Sequence, residues 1–425
     1  MTEEFPAADA HYLPRVADGE LEDRLKRIGA VLIEGAKGCG KTETASHHCL
    51  SSVRLDVDDS ARQTADISPV NVLAGQTPRL IDEWQLVPRV WNAVRREVDQ
   101  RRTVGQFVLT GSATPDDDET RHTGAGRISR MRMRTLTLSE SGLSSGEVSF
   151  ADVMAGGTVE AGMSPVSLND LIEEVCHGGW PANRGQSWSA AQSNVADYCA
   201  EIANGYIRTV DGVRRDPNRV KLLMQTLARH TATQARLTTL AADVARPGLS
   251  DETVSSYLNA LERLMVVEPL TSWSPVLRSR SRIRTASKHF FVDPAMSAAL
   301  LNATPDELRR DLKTFGFLFE SLVIRDLRVY SQPLRASVHH YLDSSNLEVD
   351  AIIDGGYRRW GAVEVKLGGS SDVLEKAAGN LLSFAAKVDT QSAGKPAFLA
   401  VVTAEGYAYT RPDGVCVIPV GMLRA

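Results

Sequence analysis

The spacing of apolar positions changes character along the chain, and the changes divide it. Residues 21–30, LEDRLKRIGA, carry apolar side chains at helical spacing and lead into a short continuous apolar run, AVLIEG. An amphipathic helix followed by a strand buried on both faces is the expected reading. A Gly-rich loop follows at once, and KTETASHHCLS then reads as a helix. Two further buried-type strands are expected at RLID (79–82) and QFVLTGS (106–112), each ending in polar residues. Strands alternating with helical stretches predict a parallel α/β sheet with ligands at the strands' carboxyl ends. From 141 to 166 the text turns rich in Gly and Ser, which marks a boundary.

Residues 168 to about 265 are helical in pattern. Within them LTTLAADVA, RPGLSD and ETVSSYLNALERLMVV give helix, turn and longer helix, and the segment up to Pro294 reads as a β-hairpin. Together they have the pattern of a winged helix-turn-helix. A third block begins near 311 with the helix TFGFLFESLVIRDLRVYS, followed by period-2 strands at 338–342, 347–353, 361–367 and 396–403. The expected fold class is therefore α/β in three parts. These are a parallel-sheet core at 1–150, a helical winged-helix segment at 165–300, and a small α/β domain at 305–425.

Composition narrows the function classes. The chain of 425 residues is too long for one ordinary core, and its net charge of −5 leaves no bulk basic surface. Any nucleic-acid contact must be local. The five Cys form no CxxC pair, which suits reduced thiols. The acidic opening MTEEFPAADAHYLPR has no apolar run, and no uncharged apolar stretch reaches the roughly 18 residues of a membrane span. A cytoplasmic protein without membrane contact is the expectation.

The loop GAKGCGKT satisfies GxxxxGK[ST] with Gly35, Gly40, Lys41 and Thr42. Strand, loop and helix are the context that motif needs to cradle phosphates on backbone N–H groups. Gly38, Cys39 and Glu43 complete the expected ATP contacts. Lys41 is expected to bridge the β- and γ-phosphates, and the Thr42 hydroxyl to ligate Mg²⁺. RLIDEWQ ends its strand in Asp82 and Glu83. Asp82 is expected to hold Mg²⁺ through water, and Glu83 to orient and deprotonate the attacking water. Thr110 and Ser112 end the next strand, where a polar γ-phosphate sensor would sit. RHTGAGRISRMRMR offers Arg127 and Arg130 in a Gly-bearing loop, either of which could complete a neighbouring subunit's site.

Taken together, YLPRVADGELEDRLKRIGAVLIEGAKGCGKTETA, LIDEWQ, VLTGSATPDDDETRHTGAGRISRMRMRTLTLSESG and GFLFESLVIRDLRVYS resemble a widespread bacterial and archaeal family of AAA+-type ATPases. Members of that family carry a C-terminal domain of unknown function. The resemblance implies an ASCE-class ATPase core, a helical winged-helix segment and a terminal domain of restriction-endonuclease-like, PD-(D/E)XK fold. It also points to Arg127, in GAGR, as a finger acting in trans within a homo-oligomer.

Two local patterns carry chemistry of their own. No acidic residue lies between Glu268 and Asp293, whereas Arg278, Arg280, Arg282, Arg284 and Lys288 all do. On a strand the alternating arginines share one face, as phosphate-backbone contact with DNA would require. In the C-terminal block Asp350 sits on one expected strand and Glu364 and Lys366 on the next. Asp350 and Glu364 could share a divalent metal, Lys366 could position the attacking water, and Glu320 is the extra acid on the preceding helix. GLSSG at 142–146 matches a serine-hydrolase elbow, but lacks the strand and helix that motif needs. The reading that follows is an ATP-hydrolysing protein that binds DNA, with branched or broken DNA as the candidate substrate, and carries a nuclease-like tail. The competing reading is a regulatory ATPase switch, of defence or toxin-neutralising type, whose helix-turn-helix contacts protein.

Overall fold

A computed structural model gives the fold and describes residues 12–111, 123–244, 249–274 and 286–425. The strands β1 (Ala30–Glu34), β2 (Ser51–Arg54), β3 (Arg79–Asp82), β4 (Phe107–Gly111) and β5 (Ile128–Arg132) form a five-stranded sheet in the order β2-β3-β4-β1-β5. Every pairing in it is parallel. Leu32, Ile81, Phe107 and Leu109 pack one face against the Trp84–Trp91 pair. Val31, Ile33, Leu80 and Val108 pack the other against Leu21 of the opening helix. Both faces being covered explains the continuous apolar runs of β1, β3 and β4.

Two details differ from the sequence expectation. The opening helix is Val16–Leu25, earlier than 21–30, because the Arg15 N–H donates to Asp18 Oδ2 (2.7 Å) and starts it there. RISRMR is an edge strand, β5, rather than a loop; Ile128 and Met131 are buried while Arg130 is exposed. Arginine side chains on an edge strand conceal it from hydropathy.

The Gly- and Ser-rich stretch is not a spacer. It contributes β6 (Val148–Ser149) and β7 (Gly162–Met163), and the helix between them packs Phe150 against Phe398 and Tyr330. These pieces pack on the C-terminal unit, so the first unit ends before Val148 rather than at the expected 150.

The middle unit consists of helices Trp188–Asn204, Pro217–Arg229, Leu237–Asp243, Asp251–Arg263 and Pro294–Leu300 around Val220, Leu223, Leu258 and Leu261, and the helix Leu168–His177 leads into it with Leu171, Ile172 and Val175 packed in the C-terminal core. The antiparallel ribbon of β8 (Val267–Leu270) and β9 (Lys288–Phe291) follows the Asp251–Arg263 helix, with Glu268 opposite Phe290 and Leu270 opposite Lys288.

The C-terminal unit starts with the helix Leu312–Ser331 and continues through β10 (Ser337–Leu342), β11 (Glu348–Asp354) and β12 (Trp360–Lys366). The helix Ser371–Lys387 then leads to β13 (Phe398–Thr403), β14 (Tyr407–Thr410), β15 (Cys416–Pro419) and β16 (Leu423–Arg424). Its seven-stranded sheet runs β10-β11-β12-β13-β15-β14-β7. β10, β11 and β12 are antiparallel neighbours, whereas β12, β13 and β15 are parallel. β16 pairs with β6, and β14 with β7.

Buried polar contacts join the units. Glu268 on β8 meets Arg132 (2.8 Å), Arg134 (3.0 Å) and Arg328 (2.8 Å). Asp293 accepts from Thr135 Oγ1 (2.7 Å), the Gly179 N–H (3.0 Å) and Arg325 (3.0 Å). Past β8, the Trp273 N–H donates to the His340 carbonyl of β10 (2.7 Å), and its ring packs on Trp360 and Phe384.

Candidate nucleotide and carboxylate sites

The phosphate loop leaves the carboxyl end of β1. Gly38 (φ 75°) and Gly40 (φ 105°) adopt the left-handed region, where a side chain would be strained. Gly35 packs on the Met133 carbonyl, which a Cβ would approach to 2.2 Å. The Cys39 thiol is buried beside the same carbonyl, and Arg15 holds the Cys39 carbonyl at 2.9 Å. The loop is thus fixed between Met133 and Arg15, directly before the helix Lys41–His47. Lys41 is buried and donates to the Gly35 and Ala36 carbonyls, both at 2.9 Å. Glu43 is exposed in the first turn of that helix.

Asp82, at the end of β3, gathers two hydroxyls. Thr42 Oγ1 donates to it at 2.9 Å, and Thr110 Oγ1 of β4 donates to the same oxygen. Asp82 and Thr110 are both buried. Glu83 follows with φ 53°, a conformation rare for a residue with a side chain and held only where surroundings enforce it. Burial raises the Glu83 carboxyl above its ordinary pKa, with the Lys41 charge pulling the other way. A carboxyl raised above its ordinary pKa takes up a proton more readily than an exposed one. Gln85 donates to Glu83 and orients it.

Trp180 was not singled out by sequence reasoning. Its indole N–H donates to the Lys37 carbonyl at 3.2 Å, and its ring lies against Gly38. Lys37 sits over the Tyr206 ring. The middle unit therefore lies directly on the phosphate loop. The GGWP turn that delivers Trp180 carries no sequence signal beyond a Trp beside two glycines.

Ser112 and Arg278, Arg280, Arg282 and Arg284 lie outside the described residues. Arg127 precedes β5, and its carbonyl accepts from the Ala30 N–H (3.1 Å) at the amino end of β1. The phosphate loop leaves the other end, four residues or about 13 Å further along the strand. Arg127 thus points away from its own chain's loop and pairs with Asp99 (2.8 Å), both half-exposed. Arg130 pairs with Glu34 at 3.0 Å. Ser144 of GLSSG donates to the Leu423 carbonyl (2.7 Å), a structural tie.

Lys288 corrects one expectation. Grouped by sequence with the DNA-facing arginines, it is instead 1% exposed, with its ammonium on Glu320 (3.0 Å) and Glu348 (2.8 Å) of the C-terminal unit. The alternation of β9 turns Lys288 inward, onto the carboxylates.

Asp350, Glu364 and Lys366 come together as the spacing predicts. Lys366 Nζ lies 3.2 Å from Asp350 and 2.5 Å from Glu364, and the Val365 N–H donates to Asp350 (2.8 Å). Asn380 donates to the other Glu364 oxygen at 2.5 Å. Burial pushes Glu364 up to about 7, the Asp350 charge adding to the shift and Lys366 opposing it. Burial also raises Glu320, against the pull of Lys288. Burial works against the Lys366 ammonium, but Asp350 and Glu364 hold its pKa above that of an ordinary lysine. The expected metal set of Asp350, Glu364 and Glu320 is not assembled. Among the described residues no group of three or more His, Cys, Asp or Glu is gathered to hold a metal. Ammonium groups stand between the carboxylates instead.

Known families and structures match parts of the chain. Residues 28–142 match the AAA domain family. Residues 168–307 and 315–423 match two domains of unknown function, DUF8612 and DUF4143. No curated protein matches the chain. Among solved structures, the Walker-type ATPase PABY2304 of Pyrococcus abyssi aligns over 68% of this chain and 96% of its own, at 12% identity and a TM-score of 0.40. AMPPCP-bound DnaA from Aquifex aeolicus aligns over 58% and 86%, at 12% identity and a TM-score of 0.24. No helix among the described residues is long and apolar enough to cross a membrane. The first unit has an AAA-type, nucleotide-binding ATPase fold, followed by a helical unit and a C-terminal α/β unit.

Proposed function

We propose that the protein hydrolyses ATP as a switch that acts on DNA and carries a nuclease-like C-terminal domain. One observation carries the ATPase reading: Thr42, Thr110 and Asp82 converge at the strand ends beside Lys41, with Glu83 held at a strained φ next to them. An all-oxygen donor set of hydroxyl and carboxylate fits Mg²⁺. Thr42 and Asp82 would hold the ion, which when bound neutralises charge on the β- and γ-phosphate oxygens. Lys41 leaves the Gly35 and Ala36 carbonyls for the phosphates. Glu83 takes the proton of the water that attacks the γ-phosphorus, the bond to the bridging oxygen breaks, and ADP and phosphate result. Arg127, at the sheet end opposite its own phosphate loop, suits a role at a neighbouring copy's site.

Arg278, Arg280, Arg282 and Arg284 supply the DNA contact in this reading, without Lys288. The nuclease-like reading of the C-terminal unit is supported by its helix, three-stranded meander, helix, strand order and by Asp350, Glu364 and Lys366 meeting on β11 and β12. As the carboxylates stand, paired to lysines, they do not fit a metal, and no cutting step is assigned to them.

The test is Glu83→Gln. It should bind a fluorescent ATP analogue as wild type does and hydrolyse ATP roughly 10²- to 10⁴-fold more slowly, the usual range for losing a general base. Hydrolysis at the wild-type rate would refute the assignment.

A further inference from the structure

The lysine between the C-terminal carboxylates does not come from the C-terminal unit. Lys288 is the first residue of β9, in the middle unit, and it reaches across to Glu320 on the helix Leu312–Ser331 and Glu348 at the start of β11. Its side chain is almost fully enclosed. Its field also falls on Asp350. Burying an ammonium is costly unless it is paired, so its position is set by these carboxylates rather than by packing. The ribbon that carries it is anchored at both sides. Glu268 ties β8 to Arg132, Arg134 and Arg328, and Trp273 lies in the core between Trp360 and Phe384.

The charges show what that position does. Glu320, Glu348, Asp350 and Glu364 face two ammonium groups, Lys288 and Lys366. Lys366 lies on β12 beside Glu364, as a member of the site itself. Lys288 is the imported charge. Without it, four carboxylates would face one lysine, and oxygen ligands with that excess of negative charge are what a hard divalent cation binds.

We propose that Lys288 is an internal cation that occupies the carboxylate site in place of a divalent metal, so that the site is closed to metal while the β8–β9 ribbon is docked. The proposal rests on the nuclease-like reading of that site, but it is tested by metal uptake rather than by cutting.

The experiment titrates full-length, nucleotide-free protein with Mn²⁺ and reads free Mn²⁺ by its electron paramagnetic resonance signal. Lys288→Met, close in length and uncharged, should bind one Mn²⁺ at least tenfold more tightly than wild type, and adding Asp350→Ala should remove that gain. Lys288→Arg, which keeps the charge, should stay closed. Should Lys288→Met fail to fold, Lys288→Gln decides. It removes the same charge with a polar side chain that can still bond the carboxylates, and should likewise tighten Mn²⁺ binding by at least threefold, again dependent on Asp350. Equal Mn²⁺ affinity in wild type and the uncharged variants, or a gain that survives Asp350→Ala, overturns the proposal. Mn²⁺-dependent DNA cleavage by wild type that Asp350→Ala abolishes would overturn the lock while upholding the nuclease-like reading, so the two fail separately.

Discussion

Replacing Glu268 with Gln tests whether the three units are held together by charge. The side chain is 4% exposed and faces three guanidinium groups at 2.8–3.0 Å. Burial alone would raise its pKa, but Arg132, Arg134 and Arg328 hold it far below the ordinary carboxylate range. Gln keeps the shape and one acceptor oxygen but removes the charge, leaving the arginines uncompensated. Breaking a buried ion pair from one side costs roughly 3–5 kcal/mol. A loss of that size should lower the thermal midpoint by on the order of 10 °C in the transition that parts the units. An exposed pair provides the contrast. Asp99→Asn removes the partner of Arg127, where the side chains are 41% and 45% exposed. Such pairs are worth about 0.2–1 kcal/mol, so little should change. The pH dependence has a definite sign. Because the folded pKa is depressed, the contribution of Glu268 is fully present above the unfolded value near 4.5 and is lost as pH falls from there towards the folded value. The difference between wild type and Glu268→Gln, measured by calorimetry, should be flat above about pH 5.5 and shrink below 4.5. A Glu268→Gln midpoint as close to wild type as that of Asp99→Asn would refute the reasoning.

Two further outcomes test the proposed function. Arg127→Ala and Lys41→Ala proteins, each inactive alone, should recover part of the ATPase rate when mixed, since Arg127 lies at the sheet end away from its own phosphate loop; no recovery in verified mixed assemblies would sink the shared site. Arg280→Ala with Arg282→Ala should weaken DNA binding similarly across sequences and reduce the salt slope by about one per lost phosphate contact. An unchanged affinity and slope in a filter-binding series would move the segment to the protein-contact reading.

The nucleotide site was legible because its chemistry is local. Gly38, Gly40, Lys41 and Thr42 are consecutive enough that residue type dictates backbone, and RLIDE announces a buried strand with its acids at the end. The Asp350–Glu364–Lys366 arrangement was legible for a similar reason: the period-2 pattern of β11 and β12 assigns faces and the loop between them is short. What escaped were partners distant in sequence. Nothing near Val148 or Gly162 indicates that they pair with Leu423 and Ala408, more than 240 residues away. Weak two-residue strands are chosen by the sheet edge they meet rather than by propensity. Lys288 was misjudged because its neighbours in sequence are arginines. Charge counting groups it with them, while its own alternation on β9 turns it inward to acids contributed by another unit.

One ribbon lies between the two sites, and the size of any coupling through it can be bounded. Glu34, the residue before Gly35, pairs in register with Arg132, whose side chain meets Glu268 of β8. Leu270, next on that face of β8, lies opposite Lys288, whose ammonium reaches Glu320 and Glu348. A phosphate-driven shift of the loop therefore has a continuous set of contacts along which to move the lysine. The nucleotide can bias the ribbon only by its difference in affinity for the docked and undocked states. Coupling energies of this kind are typically 1–3 kcal/mol, or roughly 5- to 150-fold. Turning a site from about 1% to 99% open requires about 5.5 kcal/mol. ATP acting alone through these contacts falls short of that. Opening the site would then need the ion pairs around Lys288 weakened from a second side as well, and in the proposed function DNA held through Arg280 and Arg282, which lie between β8 and β9 in sequence, is the partner for that.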